Sequence, residues 1–213
     1  MKLDKKINFK ISNESIHYDF AIERMKEHLS LMRNGLKDEL IWFLEHENIY
    51  TAGTSAKSED QKINNKDLIR YTGRGGQWTW HGKGQRVVYV MIDLKKREKD
   101  IRKFVKNLEN WIISTLDIFS LQGLSFDEYP GVWIKKNNKY YKIASIGIRI
   151  SNWITWHGLS INLNPNLDYF NYIVPCGIKN ADVTSIKNEG VNINFKQLII
   201  YDTHIKKNII KRH

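Results

Sequence analysis

"RVVYVMIDL", residues 86–94, runs through β-branched and aromatic residues without alternating polar and apolar positions. A strand reads this way when both of its faces are covered, so the stretch predicts a buried central strand. Downstream, "EKDIRKFVKNLENWIISTLDIF" (98–119) repeats its apolar positions at helical spacing. Upstream, "ESIHYDFAIERMKEHLSLMRNG" (14–35) aligns Ala21, Met25, Leu29 and Met32, with Gly35 as a stop. "NFKIS" (8–12), "LIWFLEH" (40–46) and "IYTAG" (49–53) predict further strands. "GVWIKKNNKYYKIASIGIRI" (131–150) and "WITWHGLSINLN" (153–164) predict an antiparallel meander, turning first at Asn137-Asn138, where positive φ is tolerated. "NFKQLIIYDTHIKKNII" (194–210) predicts a closing helix capped by Asn194, and "TSAKSEDQKINNKD" (54–67) a mobile surface loop. The expectation is an α/β or α+β fold, a mixed and largely antiparallel sheet packed with helices on one main face, as a single domain over residues 1–213.

Composition narrows the function classes. The 213 residues are 41% hydrophobic and 12% aromatic, the balance of a folded domain. No window approaches the roughly 18–20 apolar residues of a membrane span, and "MKLDKKINFKISNES" lacks a secretory apolar segment, so a soluble, cytoplasmic protein is expected. A monomer is the accompanying expectation. The net charge of +11 suits a nucleic acid, an anionic surface or an acidic protein partner. Because the lysines are scattered, this charge permits those partners without selecting one. Cys176, the only cysteine, forms no internal disulfide and no zinc site by itself, leaving buried filler or a reactive thiol.

Special chemistry concentrates in "TGRGGQWTWHGKGQ" (72–85), which holds five glycines. A hairpin corner explains glycines, but not the company of Arg74, Gln77, Trp78, Trp80 and His81, polar handles and flat walls that suit a pocket. The segment matches neither the Walker loop nor the dinucleotide G-x-G-x-x-G pattern, so nothing here supports ATP use. In "YKIASIGIRI" (141–150), Lys142 stands in an apolar run, either as an edge lysine or as a partly desolvated amine able to exchange protons. Ser145 lacks the G-x-S-x-G elbow of serine hydrolases. "NYIVPCGIKN" (171–180) sets Cys176 between Pro175, which fixes its own φ, and Gly177, which leaves space beside the sulfur. With one cysteine and no H-E-x-x-H, no metal site is expected, and His81 and His157 read as pocket-wall groups.

Together, "GRGGQWTWHGKGQRVVYVMIDL", "KIASIGIRI" with "HGLSINLN", and "YIVPCGI" resemble, in order, the three signature blocks of the lipoyl(octanoyl) transferases, over residues 40–187. The resemblance implies the biotin/lipoate protein ligase fold and transfer of an octanoyl group from octanoyl-acyl carrier protein to a lysine of a lipoyl domain. The acceptors it implies are 2-oxoacid dehydrogenase E2 subunits and the glycine cleavage H protein. It implies neither ATP nor metal, since the donor is already a thioester. Residue by residue, it makes Cys176 the acyl-thioester nucleophile and Lys142 its activator. It assigns substrate contacts to Arg74, Gly75, Gly76, Gln77, Trp78, Thr79, Trp80 and His81, to Ser145, Ile146 and Gly147, and to Gly158, Leu159 and Ser160.

Two departures stand out. Lys83 replaces the proline of the family's "HGPGQ", and Trp78, Trp80 and Trp156 stand where the blocks carry smaller or different residues, which is expected to narrow the acyl channel. Other readings are an ATP-dependent lipoate or biotin ligase of the same fold, which has no need of Cys176, a lipoyl amidotransferase, and a basic nucleic-acid-binding module. The aromatics argue against the last, because they cluster with glycines and Arg74 rather than forming an exposed stacking face.

Overall fold

The computed structural model describes residues 7–174 and 182–202. In chain order these form β1 (Ile7–Ile16), α1 (Tyr18–Arg33), β2 (Glu39–His46), β3 (Ile49–Ala52), β4 (Ile69–Tyr71), β5 (Trp78–His81) and β6 (Gln85–Met91). There follow α2 (Ile101–Asp117), β7 (Gly123–Phe126), β8 (Tyr129–Lys136), β9 (Lys139–Ser151), β10 (Ile154–Asn162), β11 (Asp182–Val183) and α3 (Phe195–Asp202). The main sheet runs β1-β2-β6-β10-β9-β8-β7. Its β1–β2 pair and the short β11–β9 pair are parallel and the rest antiparallel. A smaller sheet, β4-β3-β5, stands apart from it.

The continuous apolar run of β6 has the predicted cause. Val88, Val90 and Ile92 enter one core with Ile41 and Phe43 of β2 and Phe104, Leu108 and Ile112 of α2. Val87, Tyr89 and Met91 enter another with Trp42, Leu44 and the α1 residues Ala21, Met25 and Leu29. Helices therefore cover both faces, correcting the expectation of one. Strands apolar on both sides need two covers, since a bare apolar face costs about 25 cal/mol per Å² left in water.

Local signals held at the turns and caps. Asn137 and Asn138 take φ of 48° and 59° between β8 and β9. Asn194 caps α3 reciprocally: its Oδ1 accepts from Gln197 N at 3.0 Å while its N–H donates to Gln197 Oε1 at 2.9 Å. A second tight turn, Asn152-Trp153 with φ of 53° and 64°, has only half of that signature. There Trp153 packs partly on the α2-side core and its carbonyl accepts from Leu94 N at 2.8 Å. Strand β1 extends to Ile16, into the stretch predicted to be helical, because after a register shift beyond Ile11 its residues Ser15 and Ile16 pair again with Glu45 and His46.

The loop expected to be loose over 54–67 is fastened instead. Lys57 O accepts from Trp78 Nε1 at 2.6 Å, Lys62 N donates to Tyr172 O at 2.8 Å, and Asp60 O accepts from Val174 N at 2.7 Å. The small sheet is tied to α1 where the Arg70 guanidinium forks onto Asp19 at 2.9–3.0 Å, holding that carboxyl below its usual range.

One buried ion pair secures the far end of β2. Glu39, fully buried, accepts from both terminal nitrogens of Arg97 and from the Asp93 amide. Asp93 itself caps the turn at Leu94. Arg97→Ala leaves the Glu39 carboxylate without its guanidinium and is expected to cost about 3–5 kcal/mol, read as a lowered urea midpoint. A loss below about 1 kcal/mol would show the pair to be dispensable.

Candidate active site

Beyond the first turn of α1, the sheet is covered by the glycine-rich segment and the small sheet rather than by a helix. Between them lies a cavity of about 540 Å³. Its floor is set by register: Tyr89 of β6 stands opposite Gly158 of β10, which stands opposite Gly147 of β9, and Ser160 stands opposite Ser145. The glycine pair removes side chains from two adjacent strands. At Gly158 this is forced, since a Cβ would lie 2.0 Å from the Val88 carbonyl oxygen.

The roof is the 74–79 segment. Arg74, buried, donates through Nη2 to the Thr51 carbonyl at 2.6 Å and to its hydroxyl at 2.7 Å, and through Nη1 to the Gly75 carbonyl at 3.0 Å. Gly75 N donates to the Ile148 carbonyl at 2.9 Å, joining the roof to β9. Of the contacts implied by resemblance, Arg74, Gly75, Gly76, Gln77, Trp78, Thr79 and His81 line the cavity, as do Ser145, Ile146, Gly147, Gly158, Leu159 and Ser160. Trp80 is not among the lining residues. It stacks on Tyr169 at 4.8 Å and meets Phe170 edge-on, within the small sheet's own apolar cluster. Trp156 is also outside the lining, in the core beneath α1. Of the three tryptophans expected to narrow the channel, only Trp78 reaches it.

Lys142 also lines the cavity, and an irregularity in β9 puts it there. Val132 pairs with Ala144 and Trp133 with Lys142, so Ile143 is an extra residue on β9, a bulge. Ile143 and Ala144 consequently both enter the α2-side core, and Lys142 turns to the side of Ser145 and Gly147. Its Nζ donates to the Pro130 carbonyl at 2.9 Å and sits 4.9 Å from the Trp133 ring. Gly131, at φ 128°, makes the space: a Cβ there would lie 2.6 Å from Lys142 Cε. No sequence pattern marked Gly131 or the bulge.

Sequence reasoning also passed over Tyr18, Tyr89 and His46. Tyr18 and Tyr89 line the cavity, and both are apolar-run residues whose spacing signals core. His46 supports them, its Nδ1 2.6 Å from the Ile16 carbonyl oxygen and its Nε2 2.6 Å from the Tyr89 hydroxyl. His157 reaches the lining through a φ of 59°. Burial, the largest cause in each case, pushes His81 and His157 down to about 3 and His46 to about 4, and raises Tyr18 to about 12. The cavity histidines are therefore neutral at pH 7. Gln77 Oε1, Thr79 Oγ1 and His157 Nε2 are buried in the lining without a hydrogen-bond partner among the described residues.

Cys176 lies outside the described residues. The described chain stops at Val174, whose N–H is bound to Asp60, and resumes in β11, where Val183 is paired with Lys142 and Thr184 N donates to the Lys142 carbonyl at 2.9 Å.

A sequence model of the family described as the lipoyl protein ligase A/B catalytic domain matches residues 17–201. An octanoyltransferase of Ehrlichia chaffeensis is 44% identical over 195 residues, covering 91% of each chain. An octanoyltransferase of Parvibaculum lavamentivorans is 45% identical over 186 residues, covering 85% of this chain and 83% of its own. Among solved structures, a bi-partite lipoate protein ligase from Thermoplasma acidophilum superposes with a TM-score of 0.69 at 10% identity, over 96% of this chain and 84% of its own. That likeness establishes the ligase-type fold.

Two outcomes follow from this geometry. Unfolding frees His46, His81 and His157 to take protons near 6.5, whereas the folded protein refuses them until about 3–4. The unfolded chain thus binds more protons across that window. Stability falls on acidification from pH 6.5, by up to about 1.4 kcal/mol per pH unit for each histidine. Urea midpoints should drop clearly from pH 7 to pH 5, and an unchanged midpoint would contradict neutral burial. Gly131→Ala puts a Cβ 2.5 Å from the Ala144 carbonyl oxygen and 2.6 Å from Lys142 Cε at a φ of 128°, so it is expected both to lower the melting temperature by several degrees and, in the protein that remains folded, to displace Lys142 and lower activity at least tenfold.

Proposed function

The chain belongs to the lipoyl protein ligase A/B catalytic domain family and is an enzyme of octanoyl transfer in lipoylation, and we propose that it works through a thioester on Cys176. The donor is octanoyl-acyl carrier protein. The acceptor is a lysine on a lipoyl domain of a 2-oxoacid dehydrogenase E2 subunit or on the glycine cleavage H protein. Neither ATP nor a metal takes part, because the acyl group arrives already activated.

The observation that carries this reading is the placement of Lys142. The bulge turns it onto the cavity, and β11, which begins six residues after Cys176, pairs beside it. An ammonium near a thiol favours the thiolate. In the first half-reaction the Cys176 thiolate attacks the octanoyl carbonyl carbon. The carbon–sulfur bond to the carrier breaks, and the departing carrier thiolate takes a proton from the Lys142 ammonium. In the second, the acceptor amine attacks the Cys176 thioester, its surplus proton passes to the now neutral Lys142, and the Cys176 thiolate leaves. The thiolate–ammonium pair is restored, with one lysine serving both steps.

The remaining lining takes the substrate. The stretch from Arg74 to Thr79, with His81, walls the acyl group, and the Gly147–Gly158 floor admits it close to the backbone. Backbone N–H groups around Ser145, Ile146 and Gly147, with Leu159 and Ser160 beside them, surround the reacting carbonyl, where donors stabilise the developing oxyanion. The net charge of +11 steers acidic carrier and lipoyl domains toward a soluble, cytoplasmic, monomeric, single-domain enzyme.

Intact-protein mass after mixing with octanoyl-acyl carrier protein, without ATP, tests this directly. The wild type should gain one octanoyl group that chases onto a lipoyl domain. Cys176→Ser should gain no thioester adduct, and Lys142→Ala should slow both steps by at least a hundredfold. Absence of an adduct on folded protein, with ATP-dependent modification of the lipoyl domain instead, would move the chain to the ligase reaction.

A further inference from the structure

His46 and Tyr89 form a hydrogen-bonded chain whose direction is fixed. A backbone carbonyl can only accept, so the ring nitrogen 2.6 Å from the Ile16 carbonyl oxygen, Nδ1, carries the imidazole hydrogen. The ring is fully buried, and burial holds it neutral at pH 7, so Nε2 is a bare acceptor. Tyr89, 2.6 Å away, must therefore be the donor. Burial also raises its hydroxyl well above the usual 10, so the phenol keeps its hydrogen. That one hydrogen is committed to His46. The oxygen of a tyrosine lining the cavity can then only accept a hydrogen bond from what enters.

Its neighbours leave room for such a visitor. Across β10 and β9 the positions paired with Tyr89 are Gly158 and Gly147, which place no side chain there, and the His157 ring meets the Tyr89 ring edge-on at 6.2 Å. Gln77 Oε1, a second acceptor without a partner among the described residues, belongs to the same lining. An acyl thioester presents a carbonyl oxygen and a sulfur at its reacting end and has no N–H to offer there. An amine nucleophile has one.

We propose that Tyr89, with its hydroxyl hydrogen held by His46, accepts a hydrogen bond from the incoming lysine amine and aims its lone pair at the acyl carbon. His46 is the positioning residue acting through it. This rests on the thioester reading above and goes beyond it by assigning the second half-reaction its own binding group. The pair orients and does not act as the base: an imidazole held near 4 cannot keep a proton taken from an amine of ordinary pKa near ~10.4, so that proton goes to Lys142.

The test separates two nucleophiles attacking one acyl-enzyme. Octanoyl-enzyme, formed from octanoyl-acyl carrier protein and isolated, is chased either with a lipoyl domain or with N-acetylcysteamine, a small thiol whose attacking atom carries no N–H. Tyr89→Phe should slow the lipoyl-domain chase at least tenfold and the thiol chase less than threefold. His46→Leu, which frees the Tyr89 hydroxyl hydrogen to turn into the cavity, should show the same split. His46→Gln, which supplies an acceptor to Tyr89 and an N–H to Ile16, should restore the lipoyl-domain chase to within threefold of wild type. Equal loss in both chases, or a lipoyl-domain chase unchanged in Tyr89→Phe, would overturn the assignment while leaving the thioester intact. A wild-type enzyme that never acquires the octanoyl group would overturn both.

Discussion

Two strands of this sheet, β2 and β6, must be kept dry on both faces, and the rest of the architecture answers that requirement. Phe43 and Val88 look toward α2, while Trp42 and Tyr89, in the next positions, look toward α1. Each helix is amphipathic and can cover only one face. The cavity exists because α1 starts at Tyr18 and so leaves the adjoining strip of sheet to a different cover. Where α1 lies over the strands, the face is packed core. Where the glycine-rich segment lies over them, the same face lines the cavity.

This division explains the cavity's electrostatics. Its walls combine backbone and apolar side chains with imidazoles and with the Tyr18 and Tyr89 phenols, all kept neutral by burial, and Glu128 is the one carboxylate among the lining residues described. Against that background the fixed cations, Arg74 and Lys142, do different work. Arg74 spends its hydrogen bonds on Thr51 and the Gly75 carbonyl and so shapes the roof. Lys142 donates through its Nζ to the Pro130 carbonyl over the Trp133 ring, and its aliphatic stem lies over the missing Cβ of Gly131. A low-dielectric chamber magnifies any charge that develops inside it, so donors placed there act more strongly than in water.

Much of this was legible in the sequence, and the gaps have physical reasons. The run 86–94, the Asn137-Asn138 turn and the Asn194 cap are local signals that depend only on neighbouring residues, and the structure follows them. Which face a helix covers is decided by chain crossover, and the α1 and α2 patterns look alike from within. The bulge at Ile143 is equally silent, because "KIAS" permits Lys142 to share a face with Ala144 until β8 imposes its register. Tyr89 sits inside an apolar run and carries a core residue's spacing, so its hydroxyl chemistry emerges only when His46 arrives from β2. Trp78 and Trp80 share one strand and one motif, yet only the former reaches the cavity, since the latter is claimed by Tyr169 and Phe170.

The small sheet has an apolar cluster of its own, built from Tyr50, Trp78, Trp80, Phe170 and Ile173, separate from the two cores that hold the main sheet. The cavity is therefore a seam between separately packed clusters, and the bonds across it described above include Gly75 to Ile148 and Arg70 to Asp19. Bodies packed in this way open at different free energies, and the less apolar one opens first. Amide exchange along β3 and β5 can then proceed through a partial opening that leaves β6 and β10 closed. The roof of the cavity is then expected to exchange before its floor, so that one wall yields while the β6–β10 backbone opposite it holds its place.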